Sequence, residues 1–258
     1  MIDRYRLEQI VREAGDMALR KWPGDGHSVD TWEKSPGNPI CAADLEVDAF
    51  LKRELHTLLP AAGWLSEETQ DNPERIDKHL CWLVDPIDGT RDYVRGRSGW
   101  AVSVALVSGH RPLIGMLCAP ARKENWCAIA GQGAWRNEQR ISASRRKNLA
   151  GARVPAEVLS SRDSDLQCVE KPNGIALRIA MVAADEADLV ATWRWGYEWD
   201  IAAATLIARE AGAMISDAQG KALNFNKRDP RAFGLMVSSP FIHDAALQRL
   251  ADQDKPAN

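Results

Sequence analysis

Trp82-Leu83-Val84-Asp85-Pro86-Ile87-Asp88-Gly89-Thr90-Arg91-Asp92-Tyr93 decides the reading of this chain. Cys81 to Val84 is apolar and partly β-branched, the pattern of a buried strand. That strand runs into a turn carrying Asp85 and Asp88, three residues apart. Pro86 fixes its own φ and pushes Asp85 into an extended conformation. Gly89 permits a backbone angle that other residues avoid and lets a ligand come close. The turn is therefore rigid, and Asp85, the Ile87 carbonyl and Asp88 can aim at one point. Hard oxygens of this kind suit a divalent cation such as Mg2+. The amides of Gly89 and Thr90 follow and can meet a phosphate where a short helix begins. An Asp-Pro-x-Asp-Gly loop alone also occurs as a plain solvated turn, so the remaining chain has to decide.

The 258 residues, 45% of them hydrophobic, fill one large domain or two intimate subdomains. A net charge of -3 and a pI near 6.0 give no general attraction to a nucleic acid polymer or an anionic membrane. Cys41, Cys81, Cys118, Cys127 and Cys168 show no CxxC spacing, which argues against zinc or a disulfide framework and fits a reducing cytoplasm. The start, Met1-Ile2-Asp3-Arg4, lacks the apolar region of a signal peptide. No apolar run reaches the roughly 20 residues of a transmembrane segment. The ten tryptophans read mainly as core packing.

In chain order, residues 3–21 have helical amphipathic spacing, and a short strand is expected at 28–33. Turn residues then lead to Asp44, which opens a helix over Leu45–Leu59; taken alone it is a helix cap. A short apolar strand ends at the paired acids Glu67 and Glu68, and residues 70–79 read as a polar loop. Strands are expected at Trp100–Val107, Pro112–Ala119 and Asn125–Ala130, with one more from the Gly131–Trp135 turn toward Ile141, as an antiparallel meander. Arg145-Arg146-Lys147 reads as a solvated loop, followed by a strand near Val158–Ser161 and an apolar helix over Gly174–Ala184. A loop around Trp195 gives way to an alanine-rich helix reaching Gly212, with Asp200 at its start. Strands at Ala213–Ser216 and Phe233–Ser238 and a helix from His243 complete the chain.

The central string resembles the signature of the inositol monophosphatase superfamily, Mg2+-dependent and lithium-sensitive phosphatases of sugars and nucleotides. That signature is Asp-Pro-(Ile/Leu)-Asp-Gly-Thr after an apolar strand. Lys34 and Pro39 to Asp44 match a second family segment, with Cys41 where the family usually has Thr. Ser66-Glu67-Glu68 matches a third, and Trp199-Asp200-Ile201-Ala202-Ala203 matches the Trp-Asp-x-Ala-Ala signature without departure. The resemblance covers nearly the whole chain. It implies an α/β fold, a layered α-β-α-β-α sandwich in a single domain, with subdomains near 1–143 and 144–258 and the site between them. It implies two or three Mg2+ ions held by Glu67, Asp85, the Ile87 carbonyl, Asp88 and Asp200. Asp44, Glu67 and Thr90 are the implied catalytic residues, Thr90 oriented by Asp44. Glu67, Asp88, Gly89, Thr90 and Asp200 are the implied contacts to a small phosphate ester, and a homodimer is compatible with it.

Physical reasoning agrees. Four carboxylates in one cleft repel unless cations lie between them. Two ions roughly 4 Å apart can hold attacking and leaving oxygens in line, so no histidine base is needed. The favoured substrate is adenosine 3',5'-bisphosphate, as in the bacterial 3'(2'),5'-bisphosphate nucleotidase branch of sulfur assimilation. Ser66 before the paired acids, the short loop to the central turn, and Asp88-Gly89-Thr90-Arg91-Asp92-Tyr93 resemble that branch. Inositol-specific relatives carry Glu seven residues before the Trp-Asp aspartate, where this chain has Trp193. An indole there can stack on adenine, with Arg178 or Arg194 on the 5'-phosphate, or can simply pack. An inositol-1-phosphatase, a broad sugar phosphatase and a catalytically silent binding relative are the alternatives.

Overall fold

The first helix forms as its periodicity requires. In the computed structural model, which describes residues 3–24, 31–35 and 38–253 (33–35, 38, 39 and 253 by backbone only), α1 spans Arg4–Lys21. Asp3 caps it, its carboxylate accepting from the Arg6 amide at 3.1 Å. Leu7, Ile10, Val11, Ala14 and Ala18 form the buried stripe. The expected strand is β1, Thr31–Ser35, paired antiparallel with β2, Asn38–Cys41; residues 28–30 lie outside the described part. α2 covers Ala42–Leu58 and starts earlier than Leu45, because Cys41, not Asp44, is the cap. Asp44 occupies the third helical position and reaches back to the Cys41 amide at 2.8 Å, a capping-box geometry.

β3 (Gly63–Ser66), β4 (Leu80–Asp88), β5 (Ala101–Ser108), β6 (Arg111–Ala119), β7 (Glu124–Ile129), β8 (Gly133–Arg136) and β9 (Gln139–Ile141) form a seven-stranded sheet in chain order. Only the β3–β4 pair is parallel. α3, Thr90–Val94, follows β4 after Gly89. The strand expected to reach Ile141 is instead a hairpin. Asn137 and Glu138, at φ 48° and 66°, make the tight turn that joins β8 to β9. Residues 70–79 are more than a polar loop. A 3-10 turn over Pro73–Asp77 buries Arg75, whose guanidinium donates to Asp71 at 2.7 Å, Asn226 at 2.6 Å and the Lys227 carbonyl at 2.9 Å.

The second half differs most from its sequence reading. Two short parallel strands, β10 (Arg153–Pro155) and β11 (Gln167–Val169), replace the strand expected at Val158–Ser161, and Val158 is exposed. Arg145 and Lys147 are exposed as expected, but Arg146 is half-buried and its guanidinium donates to Asp188 at 3.1 Å and to the Gly151 carbonyl at 2.6 Å. α4 is Ile175–Ala183. β12, Leu189–Tyr197, runs directly into α5, Glu198–Glu210, so the expected loop at Trp195 is absent. The reason is pairing: Trp195 to Tyr197 lie opposite Phe233 to Arg231 of a later strand. β13 (Met214–Ser216) and β14 (Arg231–Ser238) complete a three-stranded antiparallel sheet ordered β12-β14-β13, and α6 is His243–Gln253.

The layers are α1 and α2, the large sheet, α4 and α5, the small sheet, then α6. The pleat of β4 serves two cores: Trp82 and Val84 face α1 and α2, while Cys81 and Leu83 join the core with α4 and α5. α5 comes close to the large sheet because both surfaces are small. A Cβ on Gly115 of β6 would stand 2.6 Å from the Ala203 carbonyl oxygen and 3.0 Å from its Cα. Gly115→Val therefore forces helix backbone away from the sheet and costs about 1–3 kcal/mol or more, read as a lower urea midpoint. An unchanged midpoint would mean that α5 slides without cost. Among the described residues, no helix is long and apolar enough to cross a membrane.

Candidate active site

β3 and β4 run parallel with Ser66 opposite Val84, so the residues that follow, Glu67 and Asp85, emerge side by side. The Glu67 amide donates to the Val84 carbonyl at 3.2 Å, extending that pairing. Asp200 arrives from the first turn of α5, where its carboxylate accepts from the Tyr197 amide at 2.9 Å. One oxygen from each of Glu67, Asp85 and Asp200 lies within 4.8 Å of the others. Asp85 is buried and steadied by the Ile87 amide, which donates to it at 3.0 Å. Burial first, then Glu67, Asp88, Asp200 and Asp44, holds the Asp85 carboxyl well above the usual carboxylate range. The charged neighbours acting on it are thus acidic. Three hard oxygens under mutual repulsion form a donor set suited to a divalent cation such as Mg2+.

Asp88 is set apart from that triad. Its carboxylate accepts from the first amides of α4, Ile175 at 3.1 Å and Ala176 at 2.7 Å. Burial pushes its pKa up to about 7, against the pull of the Ala176 amide, Arg178 and the Ile175 amide. The Ile87 carbonyl accepts from the Thr90 hydroxyl at 3.0 Å. The expected aim of Asp85, the Ile87 carbonyl and Asp88 at one point is therefore modified: Asp85 looks toward Glu67 and Asp200, Asp88 toward α4. Asp92 repeats the link, accepting from the Asn173 amide at 2.8 Å.

Glycines make this junction fit. Gly89 has φ 95°, and a Cβ there would stand 2.6 Å from the Gly99 carbonyl and 2.8 Å from the Gly174 nitrogen. A Cβ on Gly174 would stand 2.6 Å from an Asp88 carboxylate oxygen. The sequence reading missed this tie between the central turn and α4. Its only local signal is a glycine just ahead of an apolar helix, which cannot name its distant partner.

Asp44 is buried, accepting from both the amide (2.8 Å) and the thiol (3.0 Å) of Cys41. Burial first, and then Asp44, pushes the Cys41 thiol up to about 12. The Lys34 side chain lies outside the described residues. Trp193 does not present its ring as a base platform. Its indole nitrogen donates to the Leu250 carbonyl at 3.1 Å and its ring packs 5.8 Å from that of Phe233. A bulge between Thr192 and Trp195 breaks the alternation that a sequence reading assumes.

Beside Asp200 opens a cleft of about 170 Å³ that includes Ile175, Arg178, Thr192 and Arg194. Ile175, Arg178 and Thr192 also line a second cleft of about 240 Å³, walled mostly by apolar side chains such as Val154, Pro155, Leu159 and Leu189. Arg178 stands between the two, its guanidinium donating to the Pro172 carbonyl at 2.8 Å and to that of Asn173.

The model of the inositol monophosphatase family matches residues 4–255. The chain belongs to the inositol monophosphatase family. As a phosphatase of that family, it is 30% identical over 232 residues to the Escherichia coli (strain K12) 3'(2'),5'-bisphosphate nucleotidase CysQ, covering 86% of this chain and 93% of the relative. It is 29% identical over 252 residues to a Thermotoga maritima fructose-1,6-bisphosphatase/inositol-1-monophosphatase, covering 93% and 92%. The fold is similar to that of the extragenic suppressor protein suhB from Bartonella henselae, with a TM-score of 0.84, 24% identity and 98% of each chain covered. The five-layer sandwich of the inositol monophosphatase fold is thus the one that the sequence resemblance implies.

Proposed function

We propose that this protein is a Mg2+-dependent phosphomonoesterase that removes the 3'-phosphate of adenosine 3',5'-bisphosphate, giving AMP and phosphate. The observation that carries the substrate choice is the pair of clefts joined at Arg178. A phosphate at the carboxylates leaves the rest of its ester pointing along the first cleft. The apolar second cleft suits a planar base, and Arg178 suits a second phosphate on the way. Inositol phosphate has neither. The likeness to CysQ supports the same reading.

Glu67, Asp85 and Asp200 would hold Mg2+, while Asp88 ties the first turn of α4 to their edge. When bound, the cation supplies charge neutralisation and makes a water acidic enough to attack at neutral pH. The chain's own residues do the remainder. Thr90 donates its hydroxyl proton to the Ile87 carbonyl, which leaves its lone pairs to accept a hydrogen bond from the attacking water. Glu67 assists in taking the water's proton, and the departing 3'-oxygen takes one from solvent to become the hydroxyl of AMP. The first amides of α4, already gathered around Asp88, bring the positive end of a helix to the edge of the site. Lithium should inhibit, by family resemblance.

The test is kcat/KM for adenosine 3',5'-bisphosphate and for inositol-1-phosphate, in the parent and in Arg178→Ala and Ala156→Trp. Both variants should lose about one to two decades on the nucleotide and little on inositol phosphate. Equal losses on both substrates would make Arg178 a support for α4. A parent preferring inositol phosphate by a decade would replace the nucleotidase reading with an inositol-1-phosphatase.

A further inference from the structure

We infer that Asp48 is a positioning residue, which holds Glu67 in place against the repulsion of Asp85 and Asp200. This rests on the reading of Glu67 as a metal ligand. Asp48 lies on α2 one turn after Asp44 and is buried. One of its carboxylate oxygens accepts from the Ser66 hydroxyl, and the other accepts from the Thr69 hydroxyl at 2.6 Å. The Ser66 oxygen in turn accepts from the Glu68 amide at 3.3 Å. A single carboxylate therefore grips both ends of the segment Ser66–Thr69, and Glu67 lies between the grips.

The segment needs such a grip. β3 ends at Ser66, and one last backbone bond, from the Glu67 amide to the Val84 carbonyl, is all the sheet gives the acid. Glu67 keeps an oxygen within 4.8 Å of its counterparts on Asp85 and Asp200, where like charges favour its turning outward. A helix-borne carboxylate fixing both flanks removes that escape and keeps the ligand geometry ready for a cation. The donors on Asp48 are hydroxyls rather than cations, so it adds no positive charge that would compete with the metal.

The experiment follows melting temperature against Mg2+ concentration in the stripped full chain, for the parent, Asp48→Asn, Ser66→Ala, the double variant and Glu67→Gln. Asp48→Asn should raise the half-saturating Mg2+ by about tenfold to a hundredfold. Ser66→Ala should move it the same way, and the double variant no further than Asp48→Asn alone. Turnover lost in Asp48→Asn should return at high Mg2+, because the chemistry itself is intact. A merely structural Asp48 would lower the melting temperature equally with and without Mg2+ and leave the midpoint unmoved, which overturns the inference. Additive shifts would overturn it too. If Asp48→Asn does not fold, Ser66→Ala and Thr69→Val carry the same comparison. A parent whose melting temperature ignores Mg2+ overturns the metal reading itself, whereas a responsive parent with unshifted variants overturns only the role of Asp48.

Discussion

Asp85→Asn abolishes hydrolysis, lowering kcat/KM by about three decades or more, and raises the melting temperature of the metal-free protein. The loss follows from removing the most buried charge of the triad while keeping its shape. The gain follows from linkage. The Asp85 and Asp88 carboxyls are held above their unfolded values, Asp88 at about 7. A group raised in this way stabilises the fold below its unfolded pKa and loses that contribution as pH rises through its folded one. The metal-free parent should therefore lose stability between about pH 4 and pH 7 as these carboxyls ionise. Asp85→Asn escapes part of that loss, so its advantage in melting temperature should widen from pH 4 to pH 8. Added Mg2+ should stabilise the parent and not the variant. A variant that melts like the parent at pH 8 without metal would show that the triad carries no electrostatic strain.

Asp188→Ala should cost about 3 kcal/mol, or roughly 6–12 °C in melting temperature for a chain of this size. Asp188 is buried just ahead of β12, and its carboxylate accepts from Ser144 at 2.5 Å, Arg146 at 3.1 Å, and the amide and Nε of Arg153 at 2.9 Å each. Burial alone would raise its pKa, but the hydrogen bonds from Arg153, Ser144 and Arg146 reverse this and hold it well below the usual carboxylate range. A lowered pKa gives stability that is present above the unfolded value and lost as pH falls through the folded one. The parent and variant should therefore differ fully at pH 7 and converge only in strong acid. Calorimetry at both pH values checks this, and a variant within 2 °C of the parent at neutral pH would refute it (about 0.5–1 kcal/mol on that scale).

What the sequence disclosed was set by local physics. The stripe of α1, the apolar run into Asp85, and Asp200 ahead of an alanine-rich helix each carry their reason within a few residues. Glu67, Asp85 and Asp200 were legible as one set only through the resemblance of their motifs to the family's, since the local pattern alone gives each a plainer reading. The misreadings share another cause. Residues 144–153 are held by Asp188, which gathers Ser144, Arg146 and Arg153 from a distance, and the strand that follows pairs with Gln167–Val169, so the local pattern holds no strand signal. Arg75 looks polar in sequence yet is buried by partners at Asn226 and Lys227. Of the two roles open to Trp193, packing is the one its ring takes, and a bulge in β12, invisible in the sequence, breaks the alternation along that strand. The turn of Asp88 toward α4 depends on Gly89 and Gly174 meeting across the fold.

The most direct test of the central claim, that Glu67, Asp85 and Asp200 form a cation site on which phosphate-ester hydrolysis depends, is a Mg2+ titration of chelator-stripped protein acting on adenosine 3',5'-bisphosphate. The account predicts no phosphate release in EDTA and a saturable return of turnover as Mg2+ is restored. Full turnover in EDTA would contradict it.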